Sequence, residues 1–295
     1  MSKPFLRISF AASFCLICSF VSAGFCESKL YADASLYERI ISLSPAVTKA
    51  IHTLGLWDRI VGITTYCTNP LNAKKKEVIG TIMETNIEKI IELRPDLVIG
   101  TELTSSRDIK KLKNLGINII TFNISKNFDG LCQAFLSIAS LLGKDQEAHC
   151  MLEKTKKEVE KTKKEVENRL PVIKVFVQLG SKPLFSATKN HLINDLIEFS
   201  GGINIFKNAG SGVVSREEVL MLNPDVIIIA TMGIEGEKEQ KSWFNYSTVS
   251  AVKNKNIHLI DSNSICSPTP IGFAELLKDI SKILHPEIFN LKDVR

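Results

Sequence analysis

Apolar positions in this chain recur at two spacings that alternate from one stretch to the next. Ile40–Leu43 is a short apolar run broken by Ser44-Pro45, after which Ala46, Ala50, Ile51 and Leu54 return at helical spacing until Gly55. Ile60–Ile63 is the next predicted strand. Ile87, Ile90, Ile91 and Leu93 then predict a helix stopped by Pro95, because proline disfavours α geometry in the residue before it. Leu97–Ile99 is apolar on both faces, as a buried parallel strand should be. A helix at Ser106–Leu115, a strand at Asn118–Phe122 and a helix at Phe128–Leu142 follow. The alternation restarts after Pro171, with strands in "VIKVFVQL" and "NIHLID" and helices in "LINDLIEFSGG" and Gly272–Leu284. Strands that alternate with helices predict α/β architecture: mostly parallel sheets covered by helices.

One unit occurs twice. "NIEKIIELRPDLVIG" begins at Asn86 and "SREEVLMLNPDVIII" at Ser215, and their prolines, Pro95 and Pro224, stand 129 positions apart (224 − 95). In each, a Glu (Glu88, Glu217) comes seven residues before Pro-Asp and an apolar run. A helix–turn–strand unit written twice predicts two lobes of similar build.

Between the copies lies a segment of another kind. From Asp145 to Leu170 there is neither proline nor glycine, and Pro171 closes it. Read as one helix, it spans about 39 Å. It contains "KTKKEVE" at 154–160 and again at 161–167. Leu152, Val159 and Val166 form a thin apolar stripe at heptad spacing, with Thr155 and Thr162 beside it. Glu153–Lys157 and Glu160–Lys164 are favourably ordered pairs on the outer faces. Two readings stand: a short coiled coil, or a solvated helix laid along the protein by its narrow edge. The resulting organisation is an N-terminal α/β lobe at 36–143, a connecting helix at 144–170 and a C-terminal α/β lobe at 171–295.

Composition adds the compartment. Lys3 and Arg7 precede an apolar run, Ile8–Val21, and the small residues of "VSA", which reads as a secretory leader over 1–23 cut after Ala23. Loss of Lys3 and Arg7 takes the net charge from +5 to +3, too little to argue for nucleic acid. Cys26 leaves a lipid anchor open as an alternative to a soluble exported form. Cys26, Cys67, Cys132, Cys150 and Cys266 remain after the cut, in no zinc-binding pattern. No glycine loop follows the first strand and no G-x-S-x-G elbow occurs. The histidines are scattered. These absences speak against the enzyme classes that carry such signatures, and no catalytic residue, resident metal or intrinsic cofactor is expected.

The stretches "RIISLSPAVTKAIHTLG", "RIVGITTYCTNP", "NIEKIIELRPDLVIG", "DLIEFSGGINIF", "VSREEVLMLNPDVIII" and "ILHPEIF" together resemble the substrate-binding proteins of ABC importers for iron chelates and cobalamin, the binding proteins with a rigid helical backbone. The resemblance runs from about Arg39 to Phe289. It implies two lobes joined by one long helix, a ligand cleft between them that closes by a small angle, and a monomer in the periplasm that delivers a ferric chelate or a corrinoid to an ABC permease. Strand ends then name the ligand-binding candidates: Ser44, Pro45, Tyr66, Cys67, Thr101, Lys182 and Ser264. Tyr66 matches a ligand-contacting Tyr of corrinoid binders. Trp243 reads as lobe core. Glu88 and Glu217 match glutamates that meet permease arginines, and both are expected on lobe surfaces away from the strand ends. Several family positions differ. Ile82 and Thr101 stand where cobalamin binders place aromatics, Thr81 where haem binders place Tyr, and Thr269 where iron-chelate binders place Arg. A haem or bare metal-ion receptor of the same fold, and a coiled-coil interaction protein using 145–170, are the alternatives.

Overall fold

The computed structural model describes residues 37–67, 73, 75–230 and 236–289. The leader segment 1–23 and Cys26 lie outside the described residues. The first lobe runs β1 (Ile40–Ser42), α1 (Pro45–Thr53), β2 (Ile60–Ile63), β3 (Glu77–Val78), α2 (Ile87–Glu92), β4 (Leu97–Thr101), α3 (Ser106–Asn114), β5 (Ile119–Phe122) and α4 (Phe128–Leu141). Then comes α5 (Asp145–Val166). The second lobe runs β6 (Ile173–Gln178), β7 (Gly180–Ser181), β8 (Leu184–Phe185), α6 (Leu192–Phe199), β9 (Gly202–Asn204), α7 (Arg216–Leu222), β10 (Val226–Ile229), α8 (Gly236–Trp243), α9 (Ser250–Lys253), β11 (Ile257–Leu259), α10 (Ser262–Cys266), α11 (Pro270–Leu284) and α12 (Pro286–Phe289).

The first sheet has the order β3-β2-β1-β4-β5 and the second β11-β10-β6-β9, and every pairing in both is parallel. β7 and β8 form a separate antiparallel hairpin. The chain builds the first sheet outward from β1 through β2 to β3, then returns to place β4 on the other side of β1. That reversal leaves a crevice outside the carboxyl ends of β1 and β4, the usual ligand position in open α/β sheets. The second sheet reverses in the same way between β6 and β10. β4 and β10 are buried along their whole lengths, which explains their continuous apolar sequences.

The repeated unit does the same work in both lobes. The Asn86 side chain caps α2 by accepting from the Lys89 N–H, and the Ser215 side chain caps α7 by accepting from the Glu218 N–H. Each helix ends in a left-handed residue ahead of its proline, Arg94 at φ 45° and Asn223 at φ 46°. Asp96 Oδ2 accepts from the N–H groups of Glu38 and Arg39 at 2.7 and 3.0 Å. Asp225 Oδ2 accepts from the Lys174 N–H at 3.0 Å. The cation at the head of the first strand of each lobe then binds the carbonyl end of the helix: Arg39 Nη2 reaches Leu93 O at 2.6 Å, and Lys174 Nζ reaches Leu222 O at 3.0 Å. Such cations suit the negative end of the helix dipole.

The connecting helix is shorter than expected. It covers 22 residues and stops at Val166 rather than Leu170. Asn168 turns into the left-handed region at φ 59°, and Glu167 to Leu170 are all exposed. A further turn there would order the chain while burying nothing. The stripe Ala148, Leu152, Thr155, Val159, Thr162 and Val166 is buried against α4, α6 and α11 of the same chain. The heptad seam is therefore already covered from within, and the coiled-coil reading loses the face it requires. Phe128 on α4 packs on Phe273 of α11 with centroids 4.6 Å apart, and Phe199 of α6 meets both. Asp195 of α6 also accepts the Phe128 N–H at 2.8 Å.

Candidate functional site

A cavity of about 730 Å³ opens at the carboxyl ends of β1, β2 and β4. Each wall has a local cause. Ser44 and Pro45 begin α1, where proline at the first helical position needs no N–H partner. Thr65 and Tyr66 form a turn held by Thr65 N–H to Gly80 O (2.9 Å) and Cys67 N–H to Thr64 O (3.1 Å). Ile82 and Met83 tip a loop that folds back at Gly80, whose φ of 112° and whose place against Glu84 O leave no room for a Cβ. Thr101 ends β4, and its N–H is taken by Thr104 Oγ1 at 3.2 Å. The floor is one face of α4, with Leu131, Ala134, Phe135 and Ile138. The second lobe contributes Ser262, Asn263 and Cys266 of α10 and the segment Ser267–Pro270 that starts α11.

Among the described lining residues none carries a charge. The polar atoms are hydroxyls, amides and the Cys266 thiol. Burial, and then the Asp261 carboxylate, push that thiol up from its ordinary value, so it is present as neutral S–H. Four large apolar side chains on the rim are open to solvent: Tyr66 (48% exposed), Met83, Leu103 and Ile124. Such a chamber suits a large cargo with apolar faces and neutral hydrogen-bonding edges. A small anion or a bare cation would lose its hydration there with no opposite charge to replace it.

Of the seven sequence candidates, Ser44, Pro45, Tyr66 and Thr101 line this cavity, and Cys67, Lys182 and Ser264 do not. Cys67 is turned inward and buried, with its thiol on Thr48 and Thr64. Lys182 sits exposed between β7 and β8. The Ser264 hydroxyl is turned onto Asp261 at 3.2 Å, while its neighbours Asn263 and Cys266 reach the cavity. Trp243 is fully buried in the second lobe against Phe176, and its indole N–H donates to Gln178 Oε1 at 2.8 Å. Missing from the candidates were the α4 floor and the Phe122–Ser125 wall. An apolar helix face reads as core until tertiary structure opens it. Cys67, Cys132, Cys150 and Cys266 are free thiols. No group of three metal-ligating side chains occurs among the described residues.

Glu88 and Glu217 are exposed, and neither enters an ion pair among the described residues. Their position corrects the expectation that they lie away from the strand ends. Asn86 N–H donates to Ile79 O just beyond β3, and Phe185 and Val213, beside the entry to α7, bridge at the end of the hairpin that follows β6. The first turns of α2 and α7 therefore lie at the carboxyl edges of their sheets. Glu218 is committed to a capping box with Ser215, which leaves Glu217 the free carboxylate of that turn.

With this geometry in place, the chain has identifiable relatives. A family profile described as "Periplasmic binding protein" matches residues 40–264. An uncharacterized ABC transporter substrate-binding lipoprotein of Bacillus subtilis is 27% identical over 259 residues, covering 85% of this chain and 81% of the relative. A vitamin B12-binding protein of Yersinia pestis is 30% identical over 222 residues, covering 74% of this chain and 77% of the relative. Among solved structures, a possible iron-binding periplasmic solute-binding protein of Staphylococcus epidermidis superposes with a TM-score of 0.73 at 28% identity, over 84% of this chain and 99% of that one.

Proposed function

We propose, on the premise that this chain belongs to the periplasmic binding protein family, that its cavity captures a large chelate with no net charge, of the corrinoid type, for hand-over to an ABC permease. At the coarser level the chain is an extracytoplasmic solute-binding protein of the vitamin B12, iron-siderophore or haem type serving an ABC importer. The observation that carries the finer reading is the cavity of about 730 Å³ at the strand ends with no charged side chain in its described lining. An anionic ferric catecholate would enter it with no cation to meet. A corrinoid offers an apolar macrocycle face to Tyr66, Met83 and Ile124, and amide edges to Ser44, Thr101, Asn123 and Asn263. Relatedness to a vitamin B12-binding protein supports the same choice.

Titration with cyanocobalamin, a ferric tris-catecholate and haemin, followed by absorbance and melting temperature, tests it. Cyanocobalamin at a hundredfold excess over its dissociation constant should add about 2.7 kcal/mol of stability. Binding of the tris-catecholate alone would overturn the reading. Haem is a second reading, favoured by the half-exposed Tyr66 phenol on the cavity wall, since a Tyr oxygen is a known axial ligand of haem iron. A Soret shift lost in Tyr66→Phe would select it.

For docking we assign Glu88 and Glu217, one on each lobe at the edge that carries the cavity, as the carboxylates that meet the permease. We assign export to the leader 1–23, cut after Ala23. The lipoprotein name of the Bacillus relative supports the alternative, a lipid anchor on Cys26, which would place the cut directly before Cys26 instead of after Ala23. The mass of the mature N-terminus separates the two. We take the working form to be a monomer, supported by the heptad seam of α5 being buried within the chain.

A further inference from the structure

We propose that Cys67 is a positioning residue of the ligand cavity: its buried thiol joins two backbone segments, Ser42–Ser44 and Thr64–Tyr66, and thereby fixes where the Tyr66 ring stands. The proposal rests on reading this cavity as the ligand site.

Adjacent residues here face opposite ways. Tyr66 is 48% exposed on the cavity wall, and Cys67 is 5% exposed beneath it. Cys67 Sγ lies 3.2 Å from Thr48 Oγ1 and 3.3 Å from Thr64 Oγ1. Thr48 Oγ1 lies 2.8 Å from Ser42 Oγ, which lies 3.0 Å from Ser44 O. Ser42, Thr48 and Thr64 are buried as deeply as Cys67.

The order of donors follows from the far end. Ser44 O is a carbonyl and only accepts. The Ser42 hydroxyl donates to it, the Thr48 hydroxyl donates to Ser42, the Cys67 thiol donates to Thr48, and the Thr64 hydroxyl donates to Cys67. Each group donates once, and no proton in the chain is left without an acceptor. Thr48 also lies 3.0 Å from Ser44 O, and donating there instead keeps the link through Cys67 intact.

The chain crosses three elements. Ser42 ends β1, Thr48 lies on α1, and Thr64 and Cys67 flank the turn after β2. Cys67 is the sole member that spans from that turn to α1. Both ends of the relay meet cavity-lining residues, Ser44 at one end and Thr65-Tyr66 at the other. A serine at 67 can donate and accept in the same place, and an alanine can do neither. Alanine leaves the buried Thr48 and Thr64 hydroxyls facing an apolar gap, and the surface turn is the part free to move and rehydrate them.

Fluorine NMR of protein labelled with 3-fluorotyrosine reads the consequence without any ligand. The chain has four tyrosines, so the Tyr66 signal is assigned by its loss in Tyr66→Phe. Cys67→Ala should shift or broaden that signal and spare the other three, and Cys67→Ser should leave all four in place. With cyanocobalamin as probe, Cys67→Ala should weaken binding about tenfold, and the same change in a Tyr66→Ala background should weaken it no further. If Cys67→Ala does not fold, Thr64→Val cuts the relay one link away and carries the same signature. An unmoved Tyr66 signal in the folded variants, or equal losses of affinity in both backgrounds, would overturn the proposal. Failure of cyanocobalamin to bind the parent would overturn the ligand reading instead, and the fluorine signal would still decide the role of Cys67.

Discussion

His191 caps α6 with its own ring: Nδ1 accepts from the Ile193 N–H at 3.2 Å, which requires that nitrogen to be unprotonated. Burial lowers the His191 pKa from its ordinary 6.5. The sign follows. The unfolded chain takes up the proton first as pH falls, so the contribution of this group is complete above pH 6.5 and is lost as pH falls through the lowered folded value. Across that window the loss is no more than about 1.4 kcal/mol per pH unit for one such group. His258 acts in the same direction, also through burial. Asp195 opposes them, because burial raises its pKa, so its share is lost as pH rises through its folded value. Denaturant midpoints should therefore fall from pH 7 to pH 5, and His191→Asn, which caps without titrating, should flatten the curve. An unchanged slope in that variant would remove His191 from the account. At this scale strand ends placed four of the seven candidates on the cavity and missed with Cys67, Lys182 and Ser264. Ser44, Pro45, Tyr66 and Thr101 were readable because an open parallel sheet binds at its carboxyl ends. Cys67 was not, because its partners come from α1 and from across the turn, and adjacency in sequence says nothing of which way a turn residue faces.

Elements were legible where an apolar run or helical spacing marked them and illegible where neither did. β4 and β10 announce themselves by apolar runs, and α4 by its length. β3, β7, β8 and β9 have two or three residues each, and β3 is exposed at both of its positions, so no periodicity marks them. The repeated unit was visible as a pattern, and its physical content became clear only from the bonds of Asp96 and Asp225. Each carboxylate ties the head of its lobe's first strand to the turn before β4 or β10. Asp96→Ala strands two N–H groups and Asp225→Ala strands one, and each change should cost about 1–3 kcal/mol in chemical denaturation. Asp96 should be the more costly if the count of donors governs. Arg94 offers the opposite test. It holds φ 45°, where an L residue other than Asn or Asp is strained, while its counterpart Asn223 has the suited side chain. Arg94→Asn should raise stability by up to about 1 kcal/mol. A loss would show that the arginine side chain contributes more than its backbone strain removes.

At the scale of the whole molecule, the lobes are tied by more than the connecting helix. The core is continuous from α1 and α4 through α5 to α6 and α11, and Phe128, Phe199 and Phe273 close it where the lobes meet. A wide hinge opening would separate these rings and break the bond from Phe128 N–H to Asp195, so ligand capture should proceed with little lobe rotation. A receptor that moves little has to present itself to its transporter by surface charge, and Glu88 and Glu217 are placed for that, one on each lobe and both in the first turn of a helix that begins at a cavity-side sheet edge. Rim charges of this sort act through encounter rate and orientation more than through final affinity. Glu88→Ala and Glu217→Ala should each slow association with the cognate permease, and the double variant more than either. The deficit should shrink as salt rises, because the Debye length falls from about 10 Å at 0.1 M to about 3 Å at 1 M. Cargo affinity should stay at the parent value in all three, since neither carboxylate lines the cavity. Association measured on permease in nanodiscs at two ionic strengths, beside cargo titration of the free receptor, separates these effects. A double variant that docks at the parent rate at low salt would reduce the duplicated glutamates to solvated helix residues. A double variant that also loses cargo affinity would mean that the two helices shape the cavity rather than address the transporter.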